Sequence, residues 1–173
     1  MLVAHSGAGP LLPELGRAIS RPAAYVFVDA GLPMPGRSWM ETSPPELREQ
    51  LLRMVGDGWL PPWPEWWPPA ELAAMLPDPQ LRGAFVAGCP RLPLRMFEER
   101  RPALSRWPDA PVAYLQLSEP YVAAAAEART LGWSVSVLQS HHLATLVSPE
   151  LIASSLLQLL DAAGVRDTQP LSS

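Results

Sequence analysis

Leu2-Val-Ala-His-Ser-Gly-Ala-Gly9 is a short apolar strand that gives way, around Ser6, to a helix-forming stretch. Ala4, Ala8 and Gly9 are small enough for strand and helix to meet without steric clash. The serine between them is then pushed out above the sheet in a strained conformation. Such a turn exposes a side-chain oxygen, which makes Ser6 a candidate nucleophile. Taken alone, Ser6 is an ordinary turn serine; the downstream strands, a late acid and a late histidine give it more weight.

Working outward, residues 9–19 read as a helix. Pro10 and Pro13 are tolerated in its first turn, and Leu11, Leu12, Leu15 and Ile19 recur at helical spacing. Ala24-Tyr-Val-Phe-Val-Asp29 is a continuous apolar run of strand length, the pattern of a strand buried on both faces. It ends in a turn at residues 29–33. The same alternation resumes after Pro111, with a strand at 112–117, an alanine-rich helix at 120–131 closed by Gly132, and a strand at 134–138. A loop carrying His141 and His142 comes next, and Ser148 is placed to cap a last helix at 149–160, with Leu151, Ile152, Leu156 and Leu159 available for burial. This order predicts an α/β protein with about four mainly parallel strands flanked by helices.

The middle of the chain is different. Most of the 22 prolines crowd between Pro33 and Pro111, interleaved with Trp39, Trp59, Trp63, Trp66, Trp67 and Trp107. Proline lacks the donor that a sheet ladder needs, so this region is not central sheet. Ser43-Pro-Pro-Glu46 reads as a capping box opening a helix that runs to about residue 55 and is stopped by Gly56 and Gly58. Shorter helices are expected at 69–76 and 79–87, the second capped by Asp78. The expected organisation is a core of residues 1–32 and 109–165, a helical Pro/Trp-rich insertion at 33–108, and a flexible tail at 166–173.

Composition narrows the function. The 173 residues suffice for one sizeable core. No stretch approaches the ~20 apolar residues of a membrane span. The net charge is −4, all 13 basic residues are arginines, and none cluster, which argues against a nucleic-acid partner. Cys89 is the only cysteine, so no internal disulfide forms and a buried structural thiol is expected. Adjacent histidines diverge and a third ligand is not evident, so no metal is expected, nor any other cofactor. The first residues lack the basic flank and long apolar run of a secretory signal, so a cytoplasmic location is expected.

Together, Ala4-His-Ser-Gly-Ala-Gly9, Phe27-Val-Asp-Ala-Gly-Leu-Pro33 and His141-His-Leu-Ala…Ser148-Pro-Glu150 resemble the C-terminal part of an α/β-hydrolase, from the nucleophile elbow onward. The resemblance implies a partial α/β-hydrolase fold whose insertion sits where that family carries its lid. It also implies that the first half of the sheet is absent and that the nucleophile strand is an exposed edge. A covering partner is then expected: an upstream segment, a partner chain, or a second copy pairing edge to edge as a homodimer.

The family pattern assigns the site residues. Ser6 is the nucleophile, and the amide of Gly7 is the remaining oxyanion donor. The base is His142 or His141; counting back seven residues from Pro149, the common family spacing, selects His142. The acid is Glu119, just after its strand where the family usually keeps it, or Asp29 at the end of the preceding strand. Glu119 also suits a helix cap, and Asp29 a turn. His5 resembles a histidine often found beside the nucleophile, where packing is its expected role. Trp59, Trp63, Trp66 and Trp67 line a substrate pocket or form a small core of the insertion.

Three functions are consistent with this pattern. The first is a serine hydrolase acting on a small apolar ester-like substrate, with a partner chain or N-terminal half completing it. The second is a hydrolase-like binding or assembly module. The third is a non-hydrolytic acid–base catalyst, such as a cyclase, that relies on the histidine.

Overall fold

A strand β1 (Leu2–Ser6) leads through a 3₁₀ turn (Gly9–Leu11) into helix α1 (Leu12–Ala18) and then into β2 (Tyr25–Ala30). The computed structural model describes residues 1–19, 22–103 and 105–165. The expected tail at 166–173 lies outside the described residues. After β2 come α2 (Trp39–Thr42), α3 (Pro45–Met54), β3 (Trp59–Leu60), α4 (Pro69–Met75), α5 (Pro79–Gly88), β4 (Leu92–Pro93) and α6 (Leu94–Glu98). The chain then continues as β5 (Val112–Gln116), α7 (Val122–Thr130), β6 (Ser134–Val137), α8 (Ala144–Val147) and α9 (Pro149–Ala162). The described residues form two compact units, one from those in 1–33 and 103–165, the other from residues 34–102.

The first unit is a parallel sheet in the order β1-β2-β5-β6. Every residue of β2 is buried, as its unbroken apolar run requires. Alternation along the strands divides the core in two. Ala4, Tyr25, Phe27 and Tyr114 meet Leu12 of α1 and Ala125 and Ala128 of α7 on one face. Val26, Val28, Ala113 and Leu115 meet Ala144 of α8 and Ile152 and Leu159 of α9 on the other. Each such large side chain, fully buried, contributes roughly 1.5–3 kcal/mol. β1 is an edge of this sheet, and Val3 on it is 49% exposed.

The first helix differs from its expected form. Residues 9–11 wind as a 3₁₀ turn, and only Leu12 of the predicted apolar stripe is buried; Leu15 and Ile19 are about half exposed. Leu12 is the position of this stripe that meets the core, and Pro13 and Gly16 are the other buried residues of α1. In α9, Ile152 and Leu159 are buried while Leu151 is exposed. Ser148 stands at its N-cap without a side-chain capping bond.

The second unit packs around Leu51, Leu60 and Trp66, with Trp39, Trp63, Trp67 and Phe97 against them. A short antiparallel ribbon of β3 and β4, not expected from the sequence, lies within it. The capping box forms at Ser38-Trp-Met-Glu41, where Glu41 N–H donates to Ser38 Oγ and Ser38 N–H to Glu41 Oε2. Ser43 instead closes α2 by donating from Oγ to the Trp39 carbonyl at 2.8 Å. Both serines precede a glutamate by three residues, but the N-cap of α3 is Pro44, so Ser43 stands one position too early to cap it. Asp78 caps α5 through Gln80 N–H as its position predicts. Cys89 is half-buried. Trp107, expected in the insertion, packs in the first unit against Tyr25, Phe27 and Trp133.

Candidate active site

The site is built where β1 and β2 end. Register runs evenly from Leu2 opposite Tyr25 to His5 opposite Val28, then slips so that Ser6 faces Ala30. Asp29 is the residue left over, a bulge that turns it out of the ladder. Both residues at the slip hold left-handed backbone, Ser6 at φ 58° and Asp29 at φ 44°. Each such conformation costs about 1–3 kcal/mol in a residue other than glycine, and persists only where surroundings impose it. Here the Ser6 carbonyl accepts Gly31 N–H at 3.1 Å and the His5 carbonyl accepts Ala8 N–H at 3.1 Å. Gly9 passes so close to β2's end that a Cβ on it would lie 2.2 Å from the Gly31 carbonyl oxygen. The small residues of the opening stretch therefore serve this crossing.

Asp29 is fully buried, and a buried carboxylate needs partners for all its lone pairs. Oδ1 accepts the amides of Leu117 and Ser118, both at 2.9 Å. Oδ2 accepts the Ser118 hydroxyl and His142 Nδ1–H, the latter at 2.7 Å. Burial by itself raises the Asp29 pKa, and the hydrogen bonds from His142, Ser118 and Leu117 outweigh it, so the carboxyl lies below its ordinary 3.8. An ionised Asp29 can only accept, which places the proton of a neutral His142 on Nδ1. Nε2 is then the acceptor, and it lies 2.9 Å from Ser6 Oγ.

Two further rings lie against His142. His5 stacks on it with centroids 4.4 Å apart and donates from Nε2 to the His142 carbonyl at 2.9 Å. Burial, and then the neighbouring His142, lower the His5 pKa from 6.5 and keep it neutral. Tyr121 stacks with centroids 5.1 Å apart at an interplanar angle of 6°, and its hydroxyl is 3.3 Å from Ser6 Oγ. Neither Tyr121 nor Ser118 is singled out by the sequence patterns. The signal for both was available, since they lie in Ser118-Glu-Pro-Tyr121 directly beyond β5, at the sheet end that carries Asp29.

The structure thus brings Ser6, Asp29 and His142 together and leaves other candidates apart. Glu119, the first choice for the acid, is exposed in a 3₁₀ turn, and it is Asp29 that touches the imidazole. The reason is the bulge, which redirects Asp29 toward His142 while Glu119 faces solvent. His141 is half-buried with its Nδ1 unpartnered among the described residues, and burial lowers its pKa. Gly7 is exposed beside the serine. In the second unit Trp66 is core, Trp63 and Trp67 pack against it, and Trp59 is exposed beside Pro93, Leu94 and Arg95. Among the described residues no cluster of three potential metal ligands exists, and no helix is long and apolar enough to cross a membrane.

No protein-family model and no curated protein matches the chain. Solved structures do. One is an extracellular α/β-hydrolase from a Paenibacillus species, described as sharing structural and functional homology with tobacco salicylic acid binding protein 2. It is 19% identical with a TM-score of 0.73, over 91% of this chain and 70% of that one. Another is a variant of tomato methylketone synthase I complexed with β-ketoheptanoate, 13% identical with a TM-score of 0.57, over 94% of this chain and 70% of that one. With its parallel sheet, its helices on both faces and these likenesses, the chain has an α/β-hydrolase-like fold.

Proposed function

We propose that this protein is a serine hydrolase that cleaves a small, uncharged, mostly apolar ester-like substrate. One observation carries the reading: the unbroken hydrogen-bonded series Ser6 Oγ, His142 Nε2, His142 Nδ1 and Asp29 Oδ2, at 2.9 and 2.7 Å. In this reading Ser6 Oγ attacks the carbonyl while its proton passes to His142. Asp29 holds the imidazole in the required tautomer and stabilises the imidazolium. His142 then protonates the leaving alkoxide, and water repeats the sequence on the acyl-enzyme. An uncharged substrate is supported by the two side chains that contact Ser6 Oγ, the Tyr121 phenol and the His142 imidazole, neither of which offers a fixed charge to an ionic substrate. The nearby charge of Asp29 is wholly engaged by its four donors.

The test is labelling of the purified chain by a fluorophosphonate probe. Labelling is expected for the wild type, absent for Ser6→Ala, and slowed about 10²–10⁴-fold for His142→Ala. A folded, monodisperse wild type that takes no label overturns the reading. A second reading, acid–base catalysis by His142 without covalent chemistry at Ser6, is favoured by one fact: a neighbour with this fold is a methylketone synthase. Turnover that survives Ser6→Ala but not His142→Ala would select it.

A further inference from the structure

Proton accounting around Ser6 assigns Tyr121 a part in the same chemistry. Ser6 has one hydroxyl hydrogen. The Asp29 carboxylate holds the His142 proton on Nδ1, so Nε2 needs that hydrogen, and Ser6 donates it there. The contact between Ser6 Oγ and Tyr121 OH can then run in one direction only, with the phenol donating to the serine oxygen at 3.3 Å. A hydroxyl carried on a ring stacked against the base is a fixed donor at the reacting atom. When Oγ bonds to a carbonyl carbon, the carbonyl oxygen comes to lie two bonds from Oγ, within reach of the same phenol.

Resting on the serine-hydrolase reading, we propose that Tyr121 is a catalytic residue supplying a side-chain oxyanion donor. Its O–H turns from Ser6 Oγ to the carbonyl oxygen as the tetrahedral intermediate forms, beside the Gly7 amide. The bond from Oγ to the carbonyl carbon forms, the π pair moves to oxygen, and the serine proton goes to His142 Nε2. Tyr121 keeps its own proton throughout. On collapse the carbon–leaving group bond breaks, the leaving oxygen takes the proton from His142, and the phenol returns to Oγ. Burial first, and the charge of Asp29 in addition, raise the Tyr121 pKa above 10.0 against the opposing bond to Ser6, so the phenol remains a donor under ordinary conditions. The Gly7 N–H has no hydrogen-bond partner among the described residues and is open to the same oxygen. A preorganised donor of this kind is typically worth about 10²–10³ in turnover.

The experiment compares wild type, Ser6→Ala and Tyr121→Phe in fluorophosphonate labelling and in hydrolysis of p-nitrophenyl butyrate, with thermal melts alongside. Phenylalanine keeps the ring on His142 and removes only the hydroxyl. The expected result is a wild type that labels, a Ser6→Ala that does not, and a Tyr121→Phe slowed about 10²-fold. The loss falls in kcat with KM little changed, and the acidic limb of the pH profile does not move. Equal rates for Tyr121→Phe and wild type overturn the donor role and leave the hydrolase reading standing. A slowed Tyr121→Phe whose acidic limb shifts also overturns it, because the hydroxyl would then act through His142. A wild type that takes no label overturns the hydrolase reading and the donor role with it. If phenylalanine lowers the melting transition into the assay range, Tyr121→Met, which also lacks the hydroxyl, is expected to give the same kcat loss at a lower assay temperature.

Discussion

His5 donates its Nε2–H to the backbone carbonyl of His142 and stacks its ring on the imidazole that faces Ser6. Residues 137 positions apart are thereby tied, and the loop carrying His142 is held to the strand carrying Ser6. The hydrogen bond itself survives protonation, since Nε2–H is present in both forms, but the cost of charging His5 depends on its burial and on the neighbouring imidazole.

That dependence sets a pH response. Burial and the neighbouring His142 lower the His5 pKa below 6.5, so protonation is easier in the unfolded chain. Its stabilising contribution is complete above pH 6.5 and falls as the pH drops through the folded pKa. His141, lowered by burial, acts with the same sign. Asp29 adds a second stage, complete above 3.8 and lost as the pH falls further. Thermal melts from about pH 8 to about pH 3 are expected to decline in two stages, and His5→Phe to make the upper stage shallower while leaving the lower one. His5→Phe also strands the His142 carbonyl, at about 1 kcal/mol.

Substituting the two candidate acids separates their roles. Asp29→Asn presents an amide where the carboxylate accepted four donors, and it can hold His142 in the wrong tautomer. Hydrolysis of p-nitrophenyl butyrate is expected to fall about 10⁴-fold, the scale of the equivalent change in a serine-protease triad. Leaving buried amides unpaired also costs about 1–3 kcal/mol in a denaturant melt. Glu119→Gln changes an exposed side chain and is expected to leave both rate and melt unaltered.

Tyr114 braces the acid from behind. Its hydroxyl donates to the Ala30 carbonyl at 2.7 Å and accepts Ala30 N–H at 3.2 Å, fixing the residue next to Asp29. Tyr114→Phe leaves that buried pair of backbone groups unsatisfied. A loss of about 1–3 kcal/mol is expected in urea unfolding. At this chain length each kcal/mol is about 2–4 °C in Tm.

Gly9→Ala tests the crossing beneath the serine. The added Cβ meets the Gly31 carbonyl oxygen at 2.2 Å, and backbone cannot swing aside as a side chain can. Destabilisation of about 1–3 kcal/mol or more is expected. Because Gly31 N–H also holds the Ser6 carbonyl, labelling of Ser6 is expected to slow as well. A variant with unchanged Tm and labelling rate would show that the crossing has more room than this geometry allows.

The sequence by itself determined the parallel strands, their order along the chain, the turn at Ser6 and the proline-rich stretch between the two strand groups. These rest on local properties: an apolar run of strand length, small residues at a sharp turn, and a ring that cannot donate to a ladder. Only the tertiary structure decided which acid meets the histidine. Glu119 and Asp29 are equivalent by position, each a carboxylate at or just past the end of a strand, whereas the count back from Pro149 selects His142 over His141. What separates the two acids is a one-residue slip between β1 and β2 that turns Asp29 out of the ladder and onto His142. Ser118 and Tyr121 lie just beyond β5, where the sequence offers a positional signal, but their hydrogen bonds to Asp29 and Ser6, 89 and 115 residues away, are formed only by the fold.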